Sequence, residues 1–222
     1  DKKSTDKTLE IIKEFGNDKI KILSEADNGI YDAINKGINL ARGKYILILN
    51  SDDYFYTNDV LHKICQSFSL NNVDILYGNL IYVDKKYKPL RLWISNTYEK
   101  GFFHNGWSPP HPSFVVKKKI YEKYGLYKQS IGNPADIELM YRFLEKKNIN
   151  FVYLDKILVS MRIGGISNRS IYKIFIQNIR ILQFLNIHLN IFKILRFFFL
   201  KCRNRVKQFY DGKKINFKGS IF

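Results

Sequence analysis

Gly43-Lys44-Tyr45-Ile46-Leu47-Ile48-Leu49-Asn50-Ser51-Asp52-Asp53 is the stretch on which the fold turns. Residues 45–49 are continuously apolar and of strand length, the pattern of a strand covered on both faces. The run stops at Asn50-Ser51, so Asp52 and Asp53 fall just beyond a strand's carboxyl end, where open α/β sheets bind ligands. Neighbouring side chains on a regular strand point to opposite faces. The break at 50–51 lets both carboxylates serve one site. Two carboxylates at a loop mouth suit Mg2+ or Mn2+ completed by substrate phosphates. The plainer reading is a solvated acidic turn that caps the next helix.

On the N-terminal side, residues 20–24 read as a short strand. Ile30, Ala33, Ile34, Ile38 and Ala41 recur at helical spacing, which predicts a helix over 30–42 closed by Gly43 at C′. On the C-terminal side a helix is expected at about 58–70, then extended chain through 74–93 with a turn at Lys85-Lys86. Residues 102–113 are irregular, 114–116 strand-like, and 117–124 begin a short helix. A helix over 135–147 is entered through Asn133 as cap and Pro134 at the first helical position. Residues 151–154 and 157–161 look extended, ahead of Gly164-Gly165. Strands alternating with helices predict an α/β layer domain whose sheet is mixed but mostly parallel and flanked by helices.

The chain has 222 residues, 45% apolar and 15% aromatic, enough for one core and too aromatic for disorder. Its formal charge is +17, which points to a polyanionic partner. Residues 169–222 hold 12 Lys/Arg against one acid, Asp211, leaving only +6 for residues 1–168. The basic character belongs to the tail. Cys65 and Cys202 stand far apart with no metal spacing, so no disulfide framework is expected and a reducing cytosol fits.

Ser24-Glu25-Ala26-Asp27-Asn28-Gly29-Ile30-Tyr31-Asp32-Ala33-Ile34-Asn35-Lys36-Gly37, followed by the 43–53 stretch, resembles the nucleotide-sugar region of family-2 glycosyltransferases of the GT-A fold. Asn50-Ser51-Asp52-Asp53 resembles their DXD-type metal motif, with Asn in place of the first Asp. Asp1 with Ser4-Thr5-Asp6-Lys7-Thr8-Leu9 resembles the segment whose first Asp contacts the nucleotide base. His111-Pro112-Ser113-Phe114-Val115 resembles the segment on the acceptor side. Ala135-Asp136-Ile137-Glu138-Leu139 with Arg142 resembles the helix that presents the catalytic base. Arg162-Ile163-Gly164-Gly165-Ile166-Ser167 resembles the following loop in the bacterial polysaccharide branch. The resemblance covers residues 1–168.

The resemblance implies donor contacts from Asp1, Asp27, Gly29, Asn35, Asp52 and Asp53, with Asp52 and Asp53 on the metal. His111, Arg142 and Arg162 fall toward the acceptor or the phosphates. The implied chemistry is inverting transfer from a nucleoside-diphosphate sugar, with UDP favoured through Asp1. The base is Asp136, in a first helical turn that favours an ionised carboxylate, with Glu138 as the second choice. His104, Trp93 and Trp107 have plain structural readings beside any functional one. The family also places a strand and a loop ahead of the segment matched by Asp1, so the domain at 1–168 is expected to be N-terminally incomplete and the 222-residue chain by itself weakly active or inactive.

Residues 171–200 read as one helix with a narrow polar stripe and a broad apolar face. It is followed by the basic cluster Lys201-Cys202-Arg203-Asn204-Arg205-Val206-Lys207. Its longest charge-free stretch, 181–192, is too short to span a bilayer. The tail is expected either to lie on an anionic membrane or to pack on the domain itself. Nucleic acid has no use for the apolar face. Together these features predict a metal-dependent enzyme of surface polysaccharide synthesis, peripheral on the cytosolic face of the cell membrane, with a lipid-linked glycan acceptor. A metal-dependent nucleotidyltransferase and an inactive membrane-associated interaction module remain as alternatives.

Overall fold

The computed structural model describes residues 1–16, 19–145, 149–163, 171–186 and 190–213. The decisive stretch forms strand β1 only over Tyr45–Ile46, after helices α1 (Thr8–Glu14) and α2 (Ile30–Leu40). Ile46 is buried, Leu47 and Ile48 are half-buried, and Leu49 is exposed. The expectation of a strand covered on both faces fails because β1 ends the row of described strands, in the order β1-β5-β3-β6-β2. Residues 20–24 form no strand among the described residues, and Ile20 and Ile22 are exposed.

The sheet centres on β3 (Ile75–Val83), where Ile75, Leu76, Tyr77, Leu80 and Ile81 are wholly buried. It is mixed and flanked by helices, but parallel only between β3 and β6 (Phe151–Arg162). The pairings of β1 with β5 (Phe114–Lys117), β2 (Tyr54–Phe55) with β6, and β3 with both β4 (Pro89–Trp93) and β5 are antiparallel. A local turn explains one of these. Asp84 Oδ1 accepts the amide N–H groups of Lys86 and Lys88, folding β4 back as a hairpin partner of β3. The sheet is thus mixed and flanked by helices as expected, with its parallel pairing confined to β3 and β6.

The helices follow their apolar periodicity, with shifted ends. α2 stops at Leu40 because Ala41 is extended, so Gly43 lies beyond the cap. Helix α3 spans Val60–Asn71 and α4 Lys118–Tyr124. Helix α5 spans Ala135–Leu144, with Pro134 itself as N-cap and no side-chain cap from Asn133. Its buried Leu139, Met140 and Phe143 pack into the main core.

The tail is two helices rather than one, α6 (Ile171–Phe184) and α7 (Ile191–Lys213). Asn186 takes a left-handed conformation after α6, and Asn190 Oδ1 accepts the amide of Phe192 at the start of α7. Ile181, Leu182, Leu185 and Phe197 are buried in the main core. α7 runs along β4, where buried Arg91 stacks its guanidinium on Tyr82 at 3.7 Å and lies 5.7 Å from the Phe209 ring. Gly212 sits so close to Arg91 that a Cβ would meet its Cα at 2.7 Å. Thus one face of the tail packs on the domain.

Candidate functional site

Asp53 closes the turn after β1, donating its amide to Asn50 O at 3.1 Å while its Oδ2 accepts from Asn50 Nδ2 at 2.8 Å. The β2–β6 pairing, with Tyr54 opposite Ser160, draws this turn to the end of β6. Asp53 is buried and its Oδ1 has no hydrogen-bond partner. Burial pushes its pKa up to about 6, with the push of neighbouring Asp52 and against the pull of the Asn50 hydrogen bond and of the Arg162 backbone N–H. Asp52 is exposed beside it. At the end of β6, Arg162 bonds Tyr87 Oη through Nη2, and its buried Nε has no partner.

A buried carboxylate oxygen short of a hydrogen bond, next in the chain to an exposed carboxylate, is the polarity that a cation would satisfy. Asp52 and Asp53 therefore fit Mg2+ or Mn2+. Among the described residues no cluster of three His, Cys, Asp or Glu side chains could hold a metal ion. A cation here would draw its remaining ligands from substrate oxygens and water.

A separate cavity of about 620 Å3 is lined by Asp1, Asp27, Lys21, Lys36, Arg42 and Gly43 among others. The structure thus brings Asp1 and Asp27 together. The Asp1 carboxylate accepts from Ser4 and Ser24, and its backbone nitrogen donates to Leu23 O at 3.0 Å. Asp27 Oδ1 accepts the Gly29 amide at 2.9 Å, which holds its pKa below the ordinary carboxylate value. Gly29 has φ 121°, a conformation that only glycine adopts without strain. Asn35 does not line this cavity. It is buried, and both ends of its amide clamp the Tyr127 backbone at 2.9 and 3.0 Å.

Asp136 stands in the first turn of α5, half-exposed, its Oδ1 accepting the Ile137 amide at 2.8 Å. Tyr31, His111 and Tyr127 gather near it. Tyr31 donates to Asn133 O at 2.6 Å and stacks on Tyr127, whose hydroxyl lies 2.7 Å from His111 Nε2. Burial first, then the charge of Asp136, raises the Tyr31 pKa. Burial lowers that of His111 while Asp136 pulls the other way, so His111 is a neutral ring at pH 7.

Glu138 and Arg142 are brought to each other instead. Arg142 Nε and Nη2 hold the Glu138 carboxylate at 3.1 Å, and Lys128 adds a contact of 2.8 Å. Arg142 also donates to the carbonyls of Tyr124, Gly125 and Leu126. His104 faces Glu145, and Trp107 packs among Tyr77, Tyr98 and Phe103 with Nε1 bonded to Ser95 O. Trp93 is half-buried near Arg91. Gly164 and Gly165, with the rest of 164–167, lie outside the described residues.

The sequence reading missed Lys201. Assigned there to a surface basic cluster, it points inward, lies over Gly106 and donates to Asn178 Oδ1 at 2.8 Å. Burial lowers its pKa to about 8, opposed by the charge of Asp136. The signal was its phase, one turn beyond buried Phe197.

The sequence model of Glycosyl transferase family 2 matches residues 1–125. A PGL/p-HBAD biosynthesis glycosyltransferase of Mycobacterium bovis is 25% identical over 198 residues, covering 87% of this chain and 75% of that protein. An uncharacterised glycosyltransferase of Rickettsia prowazekii is 28% identical over 168 residues, covering 72% of this chain and 52% of its own. In three dimensions a crystal structure of S. aureus TarS 1-349 superposes with a TM-score of 0.53 at 16% identity, over 98% of this chain and 64% of that one. The fold is GT-A.

Proposed function

The chain belongs to glycosyl transferase family 2, and from that premise we propose that it is an inverting, metal-dependent transferase. It moves a sugar from a nucleoside-diphosphate sugar, with UDP favoured, to a hydroxyl of a lipid-linked glycan in surface polysaccharide synthesis. The work takes place at the cytosolic face of a bacterial membrane. The observation that carries the reading is the buried Asp53 carboxylate beside exposed Asp52, in a turn that the β2–β6 pairing draws to the end of β6. The nucleotidyltransferase alternative loses its ground with family membership.

In the proposed mechanism Asp1 and Asp27 take the nucleoside in the 620 Å3 cavity. Asp52 and Asp53 would hold the cation, which would supply charge neutralisation for the leaving diphosphate. Arg162 Nε donates to the same diphosphate. The acceptor oxygen attacks the anomeric carbon, the bond from that carbon to the diphosphate oxygen breaks on the opposite face, and Asp136 takes the hydroxyl proton. Neutral His111, fixed by Tyr127, and Tyr31 shape the acceptor side. Asp136 is preferred to Glu138 because the Glu138 carboxylate is already engaged by Arg142 and Lys128.

The test is nucleoside-diphosphate release from a panel of nucleotide sugars with Mn2+ and membrane-lipid extract as acceptor source. Release from one donor, abolished by EDTA and by Asp52→Ala, is expected. Release unaffected by both would overturn the metal assignment, and pyrophosphate from a nucleoside triphosphate would restore the nucleotidyltransferase.

A further inference from the structure

Helix α7 has three faces. Phe197, Lys201 and Gly212 turn to the body of the protein. Phe192, Leu195, Phe199 and Val206 recur at steps of three, four and seven and are 77%, 58%, 67% and 64% exposed. They form one apolar stripe on the outside. Lys193, Arg196, Arg203 and Lys207, all exposed, form a second row roughly 100° around the helix. Because the inner face is held by the core and by Arg91, the apolar stripe cannot rotate inward. Phe175 of α6, itself exposed, stacks on Phe198 at 5.7 Å and widens the patch.

A contiguous exposed apolar surface marks an interaction site, and its border identifies the partner. Residues 171–210 contain no acid, and Asp211 alone follows. A second copy meeting this face through a two-fold axis would set the same patch, cations included, against itself. A bilayer surface rich in anionic lipid offers both an acyl boundary for the stripe and opposite charge for the row. No described helix is long and apolar enough to cross a membrane.

We propose that the outer face of α7 lays the enzyme on an anionic lipid bilayer, with Phe192, Leu195, Phe199 and Val206 at the acyl boundary and the cation row among the headgroups. This rests on the reading of a lipid-linked acceptor and moves the membrane element from the expected 171–200 to 191–213. The inner face of the same helix carries Lys201 within the electrostatic reach of Asp136.

The experiment is vesicle flotation of the 222-residue protein, with phosphatidylcholine alone or mixed with phosphatidylglycerol. Binding is expected only to the mixed vesicles and should weaken at high salt. The double variant Phe192→Asp/Phe199→Asp should reduce binding at least tenfold, and Arg203→Gln and Lys207→Gln about fivefold each. All four side chains are exposed, and circular dichroism checks that the variants remain folded. Absence of binding to the mixed vesicles, or binding unchanged in the double variant, would overturn the proposal. So would a concentration-dependent dimer that Phe199→Asp disperses without any vesicle binding. Nucleoside-diphosphate release assayed in the same preparations separates the two claims, since loss of vesicle binding with release intact removes only the docking surface.

Discussion

Replacing Asp53 with asparagine should stabilise the metal-free protein while removing its activity. The Asp53 carboxyl has an ordinary pKa of 3.8 and one of about 6 in the fold, raised chiefly by burial. Between these values the folded protein holds a proton that the unfolded chain has released, so stability falls as pH rises through this window and the penalty is complete above about pH 6. The gap sets a ceiling of about 3 kcal/mol. Solvent screening at the mouth of the turn reduces this to about 1–2 kcal/mol. The substituted amide keeps an acceptor for Asn50 Nδ2 and carries no charge at any pH. Urea unfolding in EDTA should therefore show Asp53→Asn more stable than the parent by about 1–2 kcal/mol at about pH 7.5, with the difference closing toward about pH 4. Added Mn2+ should stabilise the parent alone, because ligand binding to the folded state adds to stability. A variant less stable than the parent at neutral pH, or a difference that does not change with pH, would refute the reasoning.

Three further predictions concern the surroundings. Glu138→Ala should destabilise by about 2–3 kcal/mol in urea titration, because it strands half-buried Arg142 without its carboxylate, yet leave nucleotide binding intact in the folded fraction. His111 is kept neutral by burial, so it opposes folding below its ordinary pKa of 6.5 and has no effect above it. His111→Gln should accordingly flatten the loss of stability between about pH 6.5 and pH 5 seen in thermal melts. Gly212→Val should push α7 off Arg91, lowering stability by about 1–3 kcal/mol and opening α7 to limited proteolysis.

The strand ends and helices were readable because their signals are local. The acid pair after an apolar run located the turn at 50–53, and helical spacing located α2, α3 and α5. Pairing direction was not readable. Periodicity says which face of β3 is buried, yet β3 is buried on both, and nothing in 75–83 distinguishes a parallel β6 from an antiparallel β5. The edge position of β1 was hidden for the same reason. Site residues divided similarly. Asp1 and Asp27 share a cavity. Glu138 and Arg142 stand at i and i+4 spacing, a pairing signal visible in the sequence, and they pair in the fold. Lys201 was lost in a run of cations because its direction depends on where α7 docks, a tertiary fact.

Glycosyl transfer with Asp136 as base is tested most directly by Asp136→Asn, assayed in parallel for donor binding by titration calorimetry with Mn2+ and for nucleoside-diphosphate release. Removing a general base should lower release by roughly a hundredfold to ten-thousandfold while donor affinity stays within about twofold of the parent, since Asp136 does not line the cavity assigned to the nucleoside. Parent-level release from Asp136→Asn would contradict the assignment of the base.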